Sequence, residues 1–395
     1  MVRSIHYPGV LTRFLPRLAS AIACLSIVAG VTSASAAQPT EGTPNMPALT
    51  GAALHVETLA KGLDHPWSMA FLPDGRMLIA ERSGRLRVLD HGKLAPMAVA
   101  GTPQVYVESQ AGLFDVALHP DFANNHLIYL SYAVGDASSN ALRIMRARLE
   151  GDHLADQKVI FEVSPRKNTP VHFGGRITFL ADGTFLCTTG DGFDFRERAQ
   201  KLDTTMGKIV RLKDDGSVPA DNPFVGHDGD RPEIWSFGHR NPQGLAYDAV
   251  SGRVYEHEHG PRGGDEVNVV ERAGNYGWPI ATHGLDYSGA RISPWRSYPG
   301  MRDAIVYWVP SIAPSGLAVY HGALFKGWDG DLLVGALAFK QLRRVHMENG
   351  KPVGQQVVLG DMNTRIRDVR VGPDGAIYLT TDDVAGRVLR VTPNP

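Results

Sequence analysis

Short alternating apolar runs recur along the chain, and each follows a tight turn that carries an acidic residue, usually beside glycine. The turns are Leu72-Pro73-Asp74-Gly75, His119-Pro120-Asp121, Ala181-Asp182-Gly183, residues 248–252, Trp328-Asp329-Gly330 and Gly372-Pro373-Asp374-Gly375. The apolar runs cover residues 77–88, 127–133, 185–189, 254–257, 332–336 and 377–381. Six repeated strand–turn–strand units predict an all-β protein, a six-bladed β-propeller. The long segment 279–309 leaves open a seventh blade or a lid loop.

The first residues have the pattern of a targeting segment. Three arginines precede an apolar run at residues 18–31, and small residues follow at 33–37. This pattern predicts a secretory signal peptide over residues 1–37, cleaved near Ala37, and a periplasmic protein. The run is shorter than the ~17–25 residues of a membrane span, so a membrane anchor is the less favoured alternative and no stable membrane insertion is expected. Residues 38–50 predict a flexible N-terminus, and residues 51–395 a single propeller domain.

Charge and cysteine content exclude several classes of partner and bond. The formal net charge is −1, which argues against nucleic-acid binding through a basic surface. Of the two cysteines, Cys24 lies in the signal segment, so Cys187 has no partner for an intramolecular disulfide. Because Cys187 sits in an apolar strand run, a buried, inert thiol is favoured over a nucleophile.

One loop carries a candidate general base. His172 lies in Val171-His172-Phe173-Gly174-Gly175-Arg176, where the two glycines let the chain approach a ligand closely. A neutral imidazole is the usual base near neutral pH, and Asp191 in Thr189-Gly190-Asp191-Gly192 could orient it. A histidine with a purely structural role is the alternative from the residues alone.

Four cations come from three different blades of the expected propeller, which would bring them to one channel: Arg240, Lys340, Arg365 and Arg367. Such cations would repel one another unless a polyanion lay among them. The alternative is that they are solvated surface charges. It is weaker for Arg365 and Arg367, since residues two apart on a strand face the same side.

A further turn offers oxygen atoms to a cation. Gly260-Pro261 lies close to Asp265 and Glu266, and carbonyl and carboxylate oxygens are the ligands of a hard cation such as calcium. The acidic spacing is not that of an EF-hand, and a tight turn with solvated acids is the alternative.

Five motifs, in this order along the chain, resemble the soluble quinoprotein glucose/sorbosone dehydrogenase family. They are His-Phe-Gly-Gly-Arg, Gly-His-Arg-Asn-Pro-Gln-Gly, Glu-His-Gly-Pro-Arg-Gly-Gly-Asp-Glu, Asn-Tyr-Gly-Trp-Pro and Arg-Ile-Arg-Asp-Val. The resemblance runs from about His65 to Thr392. It is strongest to the periplasmic aldose sugar dehydrogenases, because His259 stands where the glucose-specific branch usually has Gln. The resemblance also implies a six-bladed propeller.

The resemblance implies a role for each matching residue. His172 matches the family's general base, and Asp191 the carboxylate that orients it. The positions that match residues holding the cofactor pyrroloquinoline quinone (PQQ) are Gln110, Arg240, Asn241, Tyr287, Lys340, Arg365 and Arg367. Gly260 and Pro261 match the pair whose backbone oxygens bind the calcium on the cofactor. Glu266 and Tyr276 fall where the family binds a further calcium.

These assignments predict a PQQ- and calcium-dependent enzyme that oxidises aldose sugars at the anomeric carbon to lactones, with hydride going to the quinone and the proton to His172. Two alternatives are a calcium-dependent propeller lactonase or esterase, and a propeller that only binds a ligand. No haem-attachment Cys-x-x-Cys-His is present, so electrons are expected to leave to a separate acceptor. A monomer or homodimer is expected.

Overall fold

Each of the six acidic turns lies between the innermost strand of a four-stranded antiparallel sheet and the second strand. The computed structural model describes residues 46–49 and 53–394, which form six such sheets. The six apolar runs supply the second strands of these sheets, each of which is buried over most of its length. The prediction of an all-β, six-bladed β-propeller is therefore confirmed.

The blades follow one another along the chain after the first strand, β1 (Leu54–Leu63). Blade 1 comprises β2 (Pro66–Phe71), β3 (Met77–Glu81), β4 (Arg85–Asp90) and β5 (Lys93–Leu94). Blade 2 comprises β6 (Leu113–Leu118), β7 (Leu127–Gly135), β8 (Asn140–Glu150) and β9 (His153–Glu162). Blade 3 comprises β10 (Gly174–Phe179), β11 (Phe185–Thr189), β12 (Lys208–Leu212) and β13 (Ile234–Phe237).

The remaining blades repeat the arrangement. Blade 4 comprises β14 (Pro242–Asp248), β15 (Arg253–Glu258), β16 (Asp265–Val269) and β17 (Val306–Trp308). Blade 5 comprises β18 (Pro314–Val319), β19 (Leu332–Ala336), β20 (Gln341–Glu348) and β21 (Lys351–Val358). Blade 6 comprises β22 (Ile366–Val371), β23 (Ile377–Thr381), β24 (Gly386–Pro393) and, as its outer strand, β1.

The two ends of the described chain close the ring in blade 6. β1 pairs with β24 in antiparallel register, from Leu54 opposite Pro393 to Leu63 opposite Gly386. The innermost strands contact one another in the cyclic order β2, β6, β10, β14, β18 and β22, and β22 contacts β2 again. Closure of this kind leaves no innermost strand without neighbours on both sides.

Helical structure is scarce in the described chain. It consists of the short α1 (Phe122–Asn125) and two 3₁₀ turns at Arg196–Gln200 and Gly360–Met362. Segment 279–309 supplies only the outer strand of blade 4, β17, and otherwise forms an extended loop, so no seventh blade is formed there. None of the helices described here is long and apolar enough to cross a membrane.

Charged residues on the innermost strands form buried ion pairs between blades. The Arg176 guanidinium lies 3.3 Å from an Asp115 carboxylate oxygen and 3.0 Å from one of Asp368, and all three side chains are buried. Arg370 binds both carboxylates as well. These contacts connect the innermost strands of blades 2, 3 and 6.

The proposed signal peptide, residues 1–37, lies outside the described residues, and so do residues 38–45 and 50–52 of the predicted flexible N-terminus. Within the described part, the Leu49 backbone N–H donates to Gln355 on β21. The domain boundaries and the periplasmic location stay predictions. The Cys187 side chain is buried on β11, and burial raises the pKa of its thiol, as expected for an inert cysteine.

Candidate active site

The loops that carry the motifs lie at one end of the propeller, where the innermost strands begin. In an antiparallel sheet, the start of one strand and the end of the next share an edge. His172 precedes β10 and Asp191 follows β11, for example, so the two loops of blade 3 meet although they are distant in sequence. Arg240 and Asn241 precede β14 in the same way, and Arg365 precedes β22.

His172 and Asp191 form a buried hydrogen-bonded pair. His172 Nδ1 lies 2.7 Å from Asp191 Oδ1, and the imidazole is only 4% exposed. His172 has a φ of 54°, in the left-handed region, where its loop turns toward β10. A Cβ on Gly190 would lie 2.1 Å from the His172 carbonyl oxygen, so glycine is needed for the two loops to approach.

The environment keeps His172 in the state a base requires. Burial lowers the pKa of His172 below its usual value, and the nearby Asp191 carboxylate offsets only part of that effect. Because the carboxylate accepts the Nδ1–H, the other ring nitrogen, Nε2, is left as the proton acceptor. The imidazole is therefore neutral and oriented near pH 7.

Phe173 and Gly174, which follow His172, line a cavity of about 330 Å³, and four of the predicted cofactor residues line it as well: Gln110, Asn241, Arg365 and Arg367. Gln110 Oε1 accepts a hydrogen bond from the His172 backbone N–H at 2.9 Å. Asn241 Oδ1 accepts one from Gly174 N–H at 3.3 Å. These two amides therefore connect the cavity wall directly to the loop that carries His172.

Arg365 lies just before β22 and Arg367 lies on it, so the predicted pair on one strand face is not formed, but the two side chains share one carboxylate. Asp382, which follows β23, lies 2.7 Å from Arg365 Nη2 and 3.1 Å from Arg367 Nη2. Burial alone would raise the pKa of Asp382, but Arg367 and Arg365 outweigh it and lower the pKa to about 2. Asp382 balances one of the two positive charges, which leaves the wall cationic.

The other predicted cofactor residues open onto two adjoining cavities. Lys340 lines a cavity of about 260 Å³ that shares Arg365 and Asp382 with the first. Arg240, Tyr287 and Pro261 line another, of about 270 Å³. The four cations thus surround three neighbouring spaces at the mouth of the propeller.

The predicted calcium ligand Gly260 already faces a positive group. Arg240 Nη1 donates to the Gly260 carbonyl oxygen at 2.8 Å and to the His259 carbonyl oxygen at 3.0 Å. Asp265 Oδ1 accepts from Gly260 N–H at 2.9 Å and holds the turn. The Gly260 carbonyl oxygen therefore has a cationic partner, the Arg240 guanidinium.

Glu266 lies in a second region, which we call the acidic cluster and define as His239, Glu256, Glu258, Glu266 and Asn268, and the ring of Tyr276 packs against it. Glu258 on β15 is opposite Glu266 on β16, and Glu256 is opposite Asn268. His239 Nδ1 lies 3.6 Å from Glu256 and 3.7 Å from Glu258. His239, Glu256 and Glu258 are close enough together for one metal ion.

The acidic cluster has the features of a cation site. Burial, followed by repulsion from Glu258, raises the pKa of Glu256 to about 7, and the same two causes raise that of Glu266. Glu256 Oε2, Asn268 Oδ1 and His239 Nδ1 have no hydrogen-bond partner within the described chain. Closely spaced carboxyl and amide groups with unpaired oxygen atoms fit a hard cation such as calcium, whose charge would favour the ionised carboxylates.

The side chain of Tyr276 is engaged by neighbouring residues. Its hydroxyl donates to the Val269 carbonyl oxygen at 2.6 Å and accepts from Glu271 N–H at 2.7 Å. Its ring stacks on His239, with the ring centroids 4.6 Å apart. The hydroxyl is therefore directed away from the role of a metal ligand.

Sequence reasoning gave no role to several residues that the structure places at the site. Arg82, after β3, lines the first cavity together with Arg365 and Arg367, and Asp382 pairs with both arginines. Glu258 Oε2 accepts the backbone N–H groups of Arg240 and Asn241. Glu258 lies inside a quoted motif, which was a usable signal; Arg82 and Asp382 carried none.

Comparison with known proteins gives consistent matches over most of the chain. Residues 63–390 match the glucose/sorbosone dehydrogenase family. Aldose sugar dehydrogenase YliI of Escherichia coli is 42% identical over 348 residues, covering 87% of this chain and 94% of the relative. Quinoprotein glucose dehydrogenase B of Acinetobacter calcoaceticus is 26% identical over 414 residues, covering 84% of this chain and 86% of the relative.

A solved structure extends the comparison to three dimensions. The PQQ-bound form of aldose sugar dehydrogenase from Streptomyces coelicolor superposes with a TM-score of 0.71 at 28% identity, covering 87% of this chain and 99% of that structure. The family match over residues 63–390 contains the innermost strands of all six blades and both loops of the His172–Asp191 pair. This chain therefore belongs to the glucose/sorbosone dehydrogenase family.

Proposed function

We propose that this protein oxidises aldose sugars at the anomeric carbon to lactones, with PQQ as the hydride acceptor and calcium as a required ion. The observation that carries the proposal is the buried His172–Asp191 pair beside a cavity walled by Arg82, Arg365 and Arg367. A base next to a cationic cavity suits a reaction that removes a proton from a sugar beside an anionic cofactor. The relatives named as sugar dehydrogenases support the substrate class.

In the proposed reaction His172 removes the proton of the anomeric hydroxyl. Nδ1 is held by Asp191, so the proton goes to Nε2, and the Asp191 carboxylate stabilises the imidazolium that results. The anomeric C–H bond breaks at the same time, its electron pair leaves as hydride, and the C–O bond becomes the lactone carbonyl. Asp191 is the orienting group in this scheme and His172 the base.

PQQ, when bound, supplies two kinds of group: an ortho-quinone, which accepts hydride, and carboxylates, which need cationic partners. On the protein side, Arg365 and Arg367 are suited to hold carboxylates because one carboxylate, Asp382, already binds both. The other residues proposed to hold the cofactor are Gln110, Arg240, Asn241, Tyr287 and Lys340.

Two calcium positions are proposed. Gly260 and Pro261 would offer backbone oxygens beside the cofactor, where Arg240 now provides positive charge to the Gly260 carbonyl. Glu266, through its carboxylate, and Tyr276, through its carbonyl, would bind a further ion with the help of the acidic cluster.

The two rival functions are less well supported. A lactonase or esterase of the calcium-dependent kind needs carboxylates facing the ligand at the channel centre. The central acids Asp115 and Asp368 are instead buried and ion-paired with Arg176 and Arg370. A propeller that only binds ligands would have no use for a hydrogen-bonded His172–Asp191 pair.

The proposal is tested with protein stripped of metal by a chelator and assayed with xylose or glucose and an artificial electron-accepting dye. Four conditions are compared: no addition, calcium alone, PQQ alone, and both. Activity is expected only with both. The sequence has no Gly-x-Gly-x-x-Gly turn for a dinucleotide, so NAD is not expected to support activity. Full activity with NAD alone, or with PQQ while chelator remains in excess, would overturn the proposal.

A further inference from the structure

The Asp191 carboxylate accepts three N–H groups from three different parts of the chain. Oδ1 accepts from His172 Nδ1 at 2.7 Å and from the Phe193 backbone N–H at 2.8 Å. Oδ2 accepts from the indole Nε1 of Trp278 at 2.8 Å. Within the described chain, the hydrogen-bond donor to Asp191 Oδ2 is the indole of Trp278. The side chains of Asp191 and Trp278 are both buried. The indole therefore determines how the second oxygen of Asp191 is directed.

Trp278 is itself held in place on several sides. Its backbone N–H donates to the Gly238 carbonyl oxygen at 2.9 Å, and its own carbonyl oxygen accepts from Gln200 Nε2 at 2.8 Å. The Arg240 guanidinium lies 5.3 Å from the centre of the indole ring. The preceding Gly277 has a φ of 87°, which a residue with a side chain would rarely adopt. These contacts fix the direction of the indole N–H.

We infer that Trp278 is a positioning residue for the proposed oxidation: its indole N–H holds the Asp191 carboxylate in the orientation that binds His172, and by sharing the negative charge of Asp191 it sets the proton affinity of His172. The inference rests on the proposed function, because His172 must be the base for this effect to matter in turnover. A carboxylate that loses a hydrogen bond holds its charge on fewer partners and attracts a neighbouring proton more strongly. Without the indole donor, His172 should become more basic and the carboxylate freer to rotate.

Other charged groups around the pair must be considered in any pH experiment. Arg240, Lys167 and His259 act electrostatically with His172. Lys208, Lys167 and Arg240 act with Asp191. The Lys167 and Lys208 amines are buried and donate to backbone carbonyls, and a substitution at Trp278 leaves both lysines and Arg240 in the sequence.

Trp278→Phe is the direct test, because phenylalanine keeps an aromatic ring beneath Arg240 and removes the N–H donor. The titration of His172 in the cofactor-free protein, followed by proton NMR, should move upward by about half a unit to one unit. In the loaded enzyme, the low-pH limb of kcat/KM should move upward by the same amount, since protonated His172 cannot act as a base. The matched control is Trp328→Phe, which changes a buried tryptophan of blade 5 away from the site and should move neither.

An unchanged His172 titration together with an unchanged pH profile in folded Trp278→Phe would show that the indole has no positioning role. If that variant does not fold, the wild-type protein still decides the question through ¹⁵N-labelled tryptophan. The indole resonance that changes in Asp191→Asn must then also shift as His172 is titrated, and an indole signal that stays constant across that titration overturns the inference.

The failure of this inference is distinct from the failure of the proposed function. The NMR titration uses protein without cofactor and reports on the contacts of Trp278, Asp191 and His172 whether or not a sugar is oxidised. An upward shift in a protein with no sugar oxidation would reject the proposed function and leave the structural coupling standing. Sugar oxidation with no shift would reject the coupling alone.

Discussion

Two carboxylates organise the candidate site, and each does so through its own set of partners. Asp191 accepts N–H groups from His172, Phe193 and Trp278, and so orients the imidazole of His172. Asp382 lies between Arg365 and Arg367, and so keeps two guanidinium groups side by side at the cavity wall. In the proposed function, the first carboxylate serves proton transfer and the second serves anion binding.

At the level of the base, His172→Ala should reduce kcat by about 10²–10⁴-fold, because a positioned general base contributes that much. Binding of PQQ should persist, since the cationic wall is unchanged, and a spectroscopic titration with PQQ would show this. The control is His91→Ala, which removes an exposed histidine of blade 1. Near-normal turnover in His172→Ala would remove His172 from the mechanism.

Arg367→Ala should weaken PQQ binding by roughly 10- to 150-fold, the equivalent of about 1.5–3 kcal/mol for a hydrogen bond to a charged group. Its guanidinium is buried at the cavity wall, where water does not replace a lost contact. The control is Arg390→Ala on the same blade, whose partner is the exposed Asp374. Superimposable reconstitution curves for wild type and Arg367→Ala would contradict the assignment.

The low pKa of Asp382 predicts how stability depends on pH. Its pKa is about 2 in the folded protein and 3.8 for the free group, so the unfolded chain takes up a proton first as the pH falls. The carboxylate therefore contributes stability above about pH 4, and this contribution is lost as the pH falls towards 2. Between pH 4.5 and pH 3 the loss should be about 1 kcal/mol.

Urea unfolding at these two pH values measures that effect. Asp382→Asn should be less stable than wild type at pH 7 and should lose less of its remaining stability between pH 4.5 and pH 3. Asp152→Asn, a change at a side chain that is 73% exposed, should retain the wild-type pH dependence. If the free energy of unfolding of Asp382→Asn changed with pH as much as that of the wild type, groups other than Asp382 would account for the pH dependence.

At the scale of elements, the pairing of β15 with β16 concentrates charge in the interior. Antiparallel register places Glu258 opposite Glu266 on the same face, a like-charge pair that destabilises a sheet unless a cation lies between. The same pairing leads directly into the Gly260–Asp265 turn at the mouth. The hairpin thus links the acidic cluster to the cofactor side of the site.

Calcium should therefore raise the melting temperature of the wild-type protein, and a chelator should lower it, because an ion that binds only the folded state stabilises it. At a concentration 100 times the Kd, this stabilisation is about 2.7 kcal/mol. Glu266→Gln should lose a large part of the calcium-dependent shift. Glu271→Gln, a change at an exposed acid in the following turn that pairs with Arg302, should keep the full shift. Equal shifts in both variants would place calcium elsewhere.

At the scale of the whole molecule, one pairing holds the ring closed. β1 and β24 come from opposite ends of the described chain, and Leu63 at the end of β1 is fully buried. β22 and β2, the innermost strands of the last and first blades, are neighbours and complete the ring of innermost strands. Cofactor binding and closure of the ring are therefore expected to depend on each other.

Leu63→Ala should lower the free energy of unfolding by about 2–5 kcal/mol, as for a leucine removed from a packed core. The loss should appear in one cooperative urea transition, with tryptophan fluorescence and far-UV circular dichroism coinciding. The control Val250→Ala changes a side chain that is 77% exposed and should have little effect. A separate early transition in Leu63→Ala would instead show that blade 6 opens independently.

The sequence by itself determined the repeating architecture and pointed to one pair of side chains, His172 and Asp191, that the structure brings together. Alternating apolar runs after acidic turns are local signals, so they predicted the second strand of every blade and the count of six. The motifs around His172 and Asp191 were recognised by resemblance, and the structure brings the two side chains into contact. The metal and cofactor roles carried by the same resemblance stay predictions.

Only the tertiary structure decided which distant residues complete the site. Trp278 meets Asp191 across 87 positions, and Asp382 meets Arg365 across 17. Arg82 joins the same cavity from blade 1, and Arg240 turns to the Gly260 carbonyl oxygen. These contacts depend on how blades pack around the axis and on the paths of long loops. Contacts between residues so far apart in the sequence are determined by the closure of the whole ring. The local pattern of hydrophobic and polar residues does not predict them.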